Sequence, residues 1–222
     1  MGEYTSKTKE FSLIYTSGNL IDLNFLAHQY LSFHVKHIMV GNFLADTLKG
    51  NDREKLPHEI YQGVQVHHLI ENYTDSHPLV LKTRKILYPY FSKYAAVVQD
   101  VYFDHFLAKN WKNYSNIPLS DFTADVYRIL GEHRNLFNER AERTFYYMSR
   151  QNWLLNYAKN EGLDRALTGL SRRASFKNNM DQAIEPLIKH QRELLQLFQD
   201  FFPELESEVR KEFGDAFENS RP

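Results

Sequence analysis

The sequence contains no cysteine, which removes disulfides and thiolate metal ligation together and is what a cytoplasmic protein is expected to show. Long apolar runs are missing as well. The stretch Phe11–Tyr15 is too short for the core of a signal peptide, and nothing approaches the ~20 residues of a membrane-crossing helix. Nor is there an excess of either charge. With 27 Lys and Arg against 28 Asp and Glu, the formal net charge is -1, so neither nucleic acid nor an anionic membrane surface is an expected partner. Alternating strand-like segments are scarce after residue 22, and no internal repeat, low-complexity linker or composition break divides the chain.

What is present suits one well-filled core. The chain has 222 residues, 42% of them hydrophobic, with 16 Phe and 14 Tyr supplying bulk. Helical spacing and helix stops predict an all-α, single-domain bundle over residues 1–222 of about nine helices. Residues 1–21 read as an extension of uncertain role. The helices are expected over Leu23–Phe33, Asn42–Lys49, Pro57–Thr74, from the Asp75-Ser76-His77-Pro78 turn to Pro89, Tyr94–Trp111, Ser120–Gly131, Glu139–Lys159, Leu163–Ala174, Asp181–Phe202 and Glu204–Phe217. Gly50 serves as a stop, Pro57 as a first helical residue and Asp75-Ser76-His77-Pro78 as a turn and N-cap.

Several polar residues occupy helix faces that should be apolar. At 3.6 residues per turn Ile60, Val64, His67, Glu71 and Thr74 share one stripe, placing His67 and Glu71 a turn apart on the expected buried side. A buried carboxylate needs a partner or it takes up a proton. The Tyr94–Trp111 helix is apolar all round, which marks it as buried, yet it carries Asp100, Asp104 and His105. His28 lies among apolar residues, and Asp46 ends the run Gly41-Asn42-Phe43-Leu44-Ala45-Asp46. Each has a bland reading: His67 hydrogen-bonded to Glu71, His28 as a structural histidine, Asp46 facing solvent. Together they point to a cation held by imidazole and carboxylate without thiolate, a ligand set that suits Mn²⁺, Mg²⁺, Fe²⁺ or Zn²⁺ and leans to the harder ions.

The same residues carry a resemblance. Asn24-Phe25-Leu26-Ala27-His28, Gly41 to Asp46, His67 followed by Thr74-Asp75, and Asp100-Val101-Tyr102-Phe103-Asp104-His105-Phe106-Leu107 resemble the acyl-carrier-protein phosphodiesterase family in order and spacing. Trp111 and Ser171-Arg172-Arg173 are also similar, and the likeness runs from about Asn24 to Phe217. It implies a fold similar to HD-type metal phosphohydrolases, Mn²⁺ as the ion, and a role in fatty acid metabolism. The implied reaction is hydrolysis of the phosphodiester joining 4′-phosphopantetheine to a serine of acyl carrier protein. It also implies His28, Asp46, His67, Glu71, Asp104 and His105 as metal ligands or close neighbours. Asp46, His68 and Asp104 become the catalytic candidates, with His68 or His77 as proton donor to the leaving serine oxygen.

Where the family has His-Arg-x-Ile-Asp, this chain has His67-His68-Leu69-Ile70-Glu71. The carboxylate is kept with a longer reach, and a bidentate phosphate grip is replaced by imidazole. Acyl carrier protein, acidic and helical, calls for positive charge near the site. Arg172 and Arg173, with Arg165, form one basic group, and Lys82, Arg84 and Lys85 another, each of which equally reads as a solvated face. Two other readings stay open: a phosphohydrolase of a nucleotide or small phosphodiester, and a non-catalytic helical binding protein with a decayed site.

Overall fold

The structure, a computed structural model, describes residues 24–218. The expected extension over residues 1–21 and the first helix's start at Leu23 lie outside the described residues. All regular structure among the described residues is helical: α1 (Phe25–Tyr30), α2 (Lys36–Leu44), α3 (His58–Ser76), α4 (Pro78–Phe91), α5 (Ala95–Lys109), α6 (Leu119–Glu132), α7 (Glu139–Arg150), α8 (Trp153–Asn156), α9 (Asn160–Arg173) and α10 (Ile184–Glu218). Short 3₁₀ turns cover Ala45–Thr47, Gly50–Lys55, Ser92–Tyr94, Trp111–Asn113, Arg134–Leu136 and Met180–Gln182.

α5 is the axis of the fold. Every residue from Ala95 to Ala108 is buried, the outcome expected of a helix apolar on all sides. Its polar members therefore have to find partners inside. α1 and α2 are joined by a tight turn in which Phe33 and His34 adopt positive φ (48° and 61°). Outside glycine that conformation costs roughly 1–2 kcal/mol per residue, so the surrounding packing fixes it. The turn ends α1 early and starts α2 earlier than expected, at Lys36 rather than Asn42.

α2 and α3 cross at two glycines. A Cβ on Gly63 would stand 2.8 Å from the Gly41 Cα, and one on Gly41 would overlap the carbonyl of Ile60. Backbone meets backbone here, which brings the two helices close enough for Asn42 and Asp46 to reach His67.

Two helix expectations are corrected. The segment Glu139–Lys159 breaks at Gln151-Asn152, where Asn152 takes φ 47°, a conformation asparagine tolerates better than most residues. The expected separation at Pro203 does not occur: α10 runs through it. Proline removes only one amide and the turn before it can bend, so flanking packing carries the helix past it. That packing is aromatic. Phe198 lies 5.0 Å from Phe202, 5.2 Å from Phe103 and 5.9 Å from Phe106 between ring centroids, and such pairs add to plain area burial. Among the described residues no helix is long and apolar enough to cross a membrane.

Candidate active site

Three helical segments bring two imidazoles and two carboxylates together. His28 comes from α1, Asp46 from the 3₁₀ turn after α2, and His67 and Glu71 from α3. His28 Nε2 is 2.9 Å from Glu71 Oε1, and His67 Nε2 is 3.1 Å from Asp46 Oδ1. The imidazole rings are 4.5 Å apart. Ligand atoms of His28, His67 and Glu71 all lie within 4.8 Å of one another. The histidines are buried, whereas the Asp46 and Glu71 side chains each keep 22% exposure. The carboxylates thus form the solvent side of the cluster.

Asn42 sets the orientation of both rings. Its Nδ2 donates to the His28 carbonyl at 2.9 Å and to Ser32 Oγ at 3.2 Å, which fixes its Oδ1 as the atom facing inward. That one oxygen accepts from Nδ1 of His28 at 2.7 Å and from Nδ1 of His67 at 3.1 Å. With both Nδ1 atoms protonated, a neutral ring would point a lone pair at a carboxylate oxygen. Nε2 must therefore carry a second proton, or a cation must lie between imidazole and carboxylate. This donor arrangement could hold a metal ion. Two imidazole nitrogens and hard carboxylate oxygens, with no sulfur, fit the ions expected from the sequence.

The electrostatics follow. Burial alone would lower the His67 pKa, but Asp46, through charge and hydrogen bond, together with Glu71 and Asn42 holds it above the ordinary value. Burial alone would raise Asp46; His67, then His28 and Arg140, hold it low. Glu71 is likewise held low against burial by His28 and His67. His68, beside His67 with ring centroids 5.7 Å apart, is kept neutral by burial, His67 and Arg53. Its Nε2 has no partner among the described residues.

Asp104 and His105 are placed differently from this quartet. Asp104 accepts from the amides of Leu26 at 2.9 Å and Ala27 at 2.8 Å, capping the first turn of α1 from across the core and so fixing the helix that carries His28. Burial raises its pKa to about 8, against the lowering effect of the two amides. His105 turns away to the Tyr157 carbonyl, 2.7 Å from its Nδ1. Asp100 accepts from Gln99 at 3.1 Å, and its carboxyl is pushed well up by burial and by Glu71. Of the two basic groups, Arg84 pairs with Asp75 at 2.7 Å and Lys82 with Glu193 at 3.5 Å, while Arg172 and Arg173 end α9 at the surface. His77 is a cap, accepting from the Leu79 amide at 3.3 Å and lying 3.2 Å from Glu204.

Comparison with known proteins decides the family. The acyl carrier protein phosphodiesterase family matches residues 23–205, spanning the whole quartet. The chain belongs to that family. A Photorhabdus laumondii acyl carrier protein phosphodiesterase is 27% identical over 184 residues, covering 82% of this chain and 92% of the relative. The Yersinia enterocolitica protein of the same name is 29% identical over 189 residues, 85% of this chain and 98% of the relative. One from Escherichia coli O6:H1 is 28% identical over 188 residues, covering 82% and 95%. No solved structure matches.

In this family member the motif residues Asn24 and Asn42, for which the sequence pattern implies no role, both support the site. Asn24 Nδ2 donates to Glu71 Oε1 at 3.3 Å, and Asn42 orients both histidines. The signal for Asn42 was present: an amide in the middle of an apolar helix, 2% exposed, is the same kind of anomaly as Asp100.

Proposed function

We propose that this protein hydrolyses the phosphodiester linking 4′-phosphopantetheine to a serine of holo-acyl carrier protein, giving apo-carrier and free 4′-phosphopantetheine. The observation that carries the reading is the pair of imidazoles whose Nδ1 atoms share Asn42 while their Nε2 atoms meet Glu71 and Asp46, in a chain whose named relatives are acyl carrier protein phosphodiesterases.

In this reading His28, His67 and Glu71 hold a divalent ion, with Asp46 beside His67 completing the charge balance; Mn²⁺ is the proposed ion. Such an ion, when bound, acidifies water and neutralises charge on phosphoryl oxygens. Asn42 holds the Nδ1 protons, leaving both Nε2 atoms as donors to the ion. Asp104 acts at one remove, positioning α1 and hence His28, and His105 ties α5 to the α8–α9 region. His68, its pKa lowered by burial and by His67 and its Nε2 unpartnered among the described residues, can take the proton of the attacking water and pass it to the departing serine oxygen. Arg172 and Arg173 are the proposed contacts to the acidic carrier, in keeping with a cytoplasmic enzyme of fatty acid metabolism.

The test is incubation of the Mn²⁺-loaded protein with holo-acyl carrier protein, followed by mass measurement of the carrier. Loss of the 4′-phosphopantetheine mass is expected. An unchanged carrier alongside turnover of a nucleotide or simple phosphodiester would move the substrate elsewhere, and no turnover of either would favour a binding role.

A further inference from the structure

A cavity of about 260 Å³ lies among α7, α8 and α9 and shares no residue with the histidine cluster. α9 gives it Gly162, Arg165, Ala166, Gly169 and Arg173, spaced three and four apart on one helix face. Small side chains and arginines share that face. Gly162 is required by packing, because a Cβ would overlap the Asn156 carbonyl of α8. Gly169 has no such requirement: a Cβ would meet only Arg173 Nη2, at 3.9 Å. Its missing side chain leaves open space beside a guanidinium at a cost in helix propensity.

The charge in this cavity is unbalanced. Its lining contains no carboxylate. Among the described residues neither Arg165 nor Arg173 forms an ion pair, and neither does Arg143; burial lowers the Arg173 pKa, Tyr157 in the cavity wall works against that, and Arg143 lowers it further. Guanidinium groups gathered without a counter-charge are matched to a bidentate oxyanion. α7 and α8 add aromatic lining, Tyr147 and Trp153. Trp153 is held by its Nε1, which donates to Gln151 Oε1 at 3.0 Å. The small volume fits a compact ligand.

We propose that this cavity binds an organic phosphomonoester, its phosphoryl oxygens on Arg165 and Arg173 and its organic part against Trp153 and Tyr147. The proposal stands whether or not the histidine cluster hydrolyses a phosphodiester.

The test uses the full chain stripped of metal, so that the histidine cluster does not gather phosphate through an ion. Of the two tryptophans, Trp153 lines the cavity, whereas Trp111 is buried against Phe122, 4.8 Å away. Intrinsic fluorescence therefore reports binding. Phenyl phosphate should give a saturable change that inorganic phosphate reproduces only at concentrations at least tenfold higher. Arg165→Gln and Arg173→Gln should each weaken phenyl phosphate roughly 10- to 100-fold, the loss of a charged hydrogen-bonding group, with melting temperatures unchanged. Trp153→Phe should abolish the signal. A flat titration, equal affinity for inorganic phosphate, undiminished affinity in the folded double-glutamine variant, or a signal that survives Trp153→Phe would each overturn the proposal.

Discussion

Asn42 Oδ1 lies 2.7 Å from His28 Nδ1, and the same oxygen serves His67 at 3.1 Å, so one amide fixes the tautomers of both histidines at the site. Replacing Asn42 with leucine strands two buried N–H groups at a cost of roughly 1–3 kcal/mol each. It also frees both rings to rotate. Asn42→Leu is expected to lower the unfolding free energy and to weaken Mn²⁺ binding by about 10- to 100-fold, the usual effect of losing a group that orients a metal ligand. Calorimetric Mn²⁺ titration and denaturant unfolding check this, and imidazole ¹⁵N shifts of the metal-free protein should show the two Nδ1-H tautomers only when Asn42 is present. Native-like shifts in the variant would remove its orienting role.

Glu71 is the next discriminating position. It meets His28 Nε2 and receives a hydrogen bond from Asn24. Glu71→Asp keeps the charge with less reach and is expected to retain activity on holo-acyl carrier protein. Glu71→Leu removes the acceptor from a buried imidazole and should reduce kcat/KM by on the order of 10–100-fold. His68→Arg, which supplies the guanidinium the family resemblance implies but removes the proposed proton donor, should lower KM and lower kcat with it. If Glu71→Leu turned over like the native protein, the polar stripe on α3 would be structural only.

Much of this site was legible in the sequence because burial and polarity conflict there. His28, His67 and Glu71 occupy helix faces that apolar neighbours mark as internal, and the structure brings them together with Asp46. What the helical wheel does not carry is direction across the fold. Asp104 and His105 are adjacent on a helix buried on every side, yet one reaches the amides of α1 and the other the carbonyl of Tyr157, a difference fixed by which helices pack around α5. The helix breaks were harder. Proline at 203 reads as a stop, but local preference yields to the aromatic packing of α10. The end of α7 rests on the left-handed conformation of Asn152, for which asparagine is permissive and not diagnostic.

Metal removal should be visible in stability as well as turnover. An ion that binds the quartet only when it is assembled stabilises the fold by mass action, about 2.7 kcal/mol at a hundredfold excess over Kd. Melting temperature is expected to rise with Mn²⁺ and to fall back with chelator, in parallel with activity. Full turnover in chelator would end the metal reading.

Asp104 gives a pH dependence whose sign can be worked out. Its folded pKa is raised to about 8, against roughly 3.9 for an unfolded aspartate. The folded state therefore holds a proton that the unfolded chain releases, so this contribution is complete below about pH 4 and is lost as pH rises through about 8. Asp104→Asn lacks the titration. Urea unfolding of both proteins from pH 5 to 9 should show the native protein's advantage over the variant shrinking with rising pH and then levelling. A gap that widened with pH would mean that the Leu26 and Ala27 amides outweigh burial and keep Asp104 ionised.

The helix crossing beneath the site gives the sharpest test of how fold and function are joined. At Gly63 an added methyl would meet backbone on the other side: the Gly41 Cα at 2.8 Å, the Asn42 amide nitrogen at 2.9 Å and, closer still, the Ile38 carbonyl. None of these is a flexible side-chain end, so α2 and α3 must separate. Overpacking of this kind typically costs about 1–3 kcal/mol and occasionally more. Separation also lengthens the contacts from Asn42 and Asp46 to His67, since those residues reach it only across this crossing. Gly63→Ala is therefore expected to lose stability and Mn²⁺ affinity together. Gly131, inside α6, is the control: its added methyl would meet only the Phe145 ring at 3.6 Å, an ordinary contact, and Gly131→Ala should stabilise by roughly 0.5–1 kcal/mol through helix propensity. If Gly63→Ala bound Mn²⁺ as tightly as the native protein while melting lower, the histidine cluster would not depend on the close approach of these two helices.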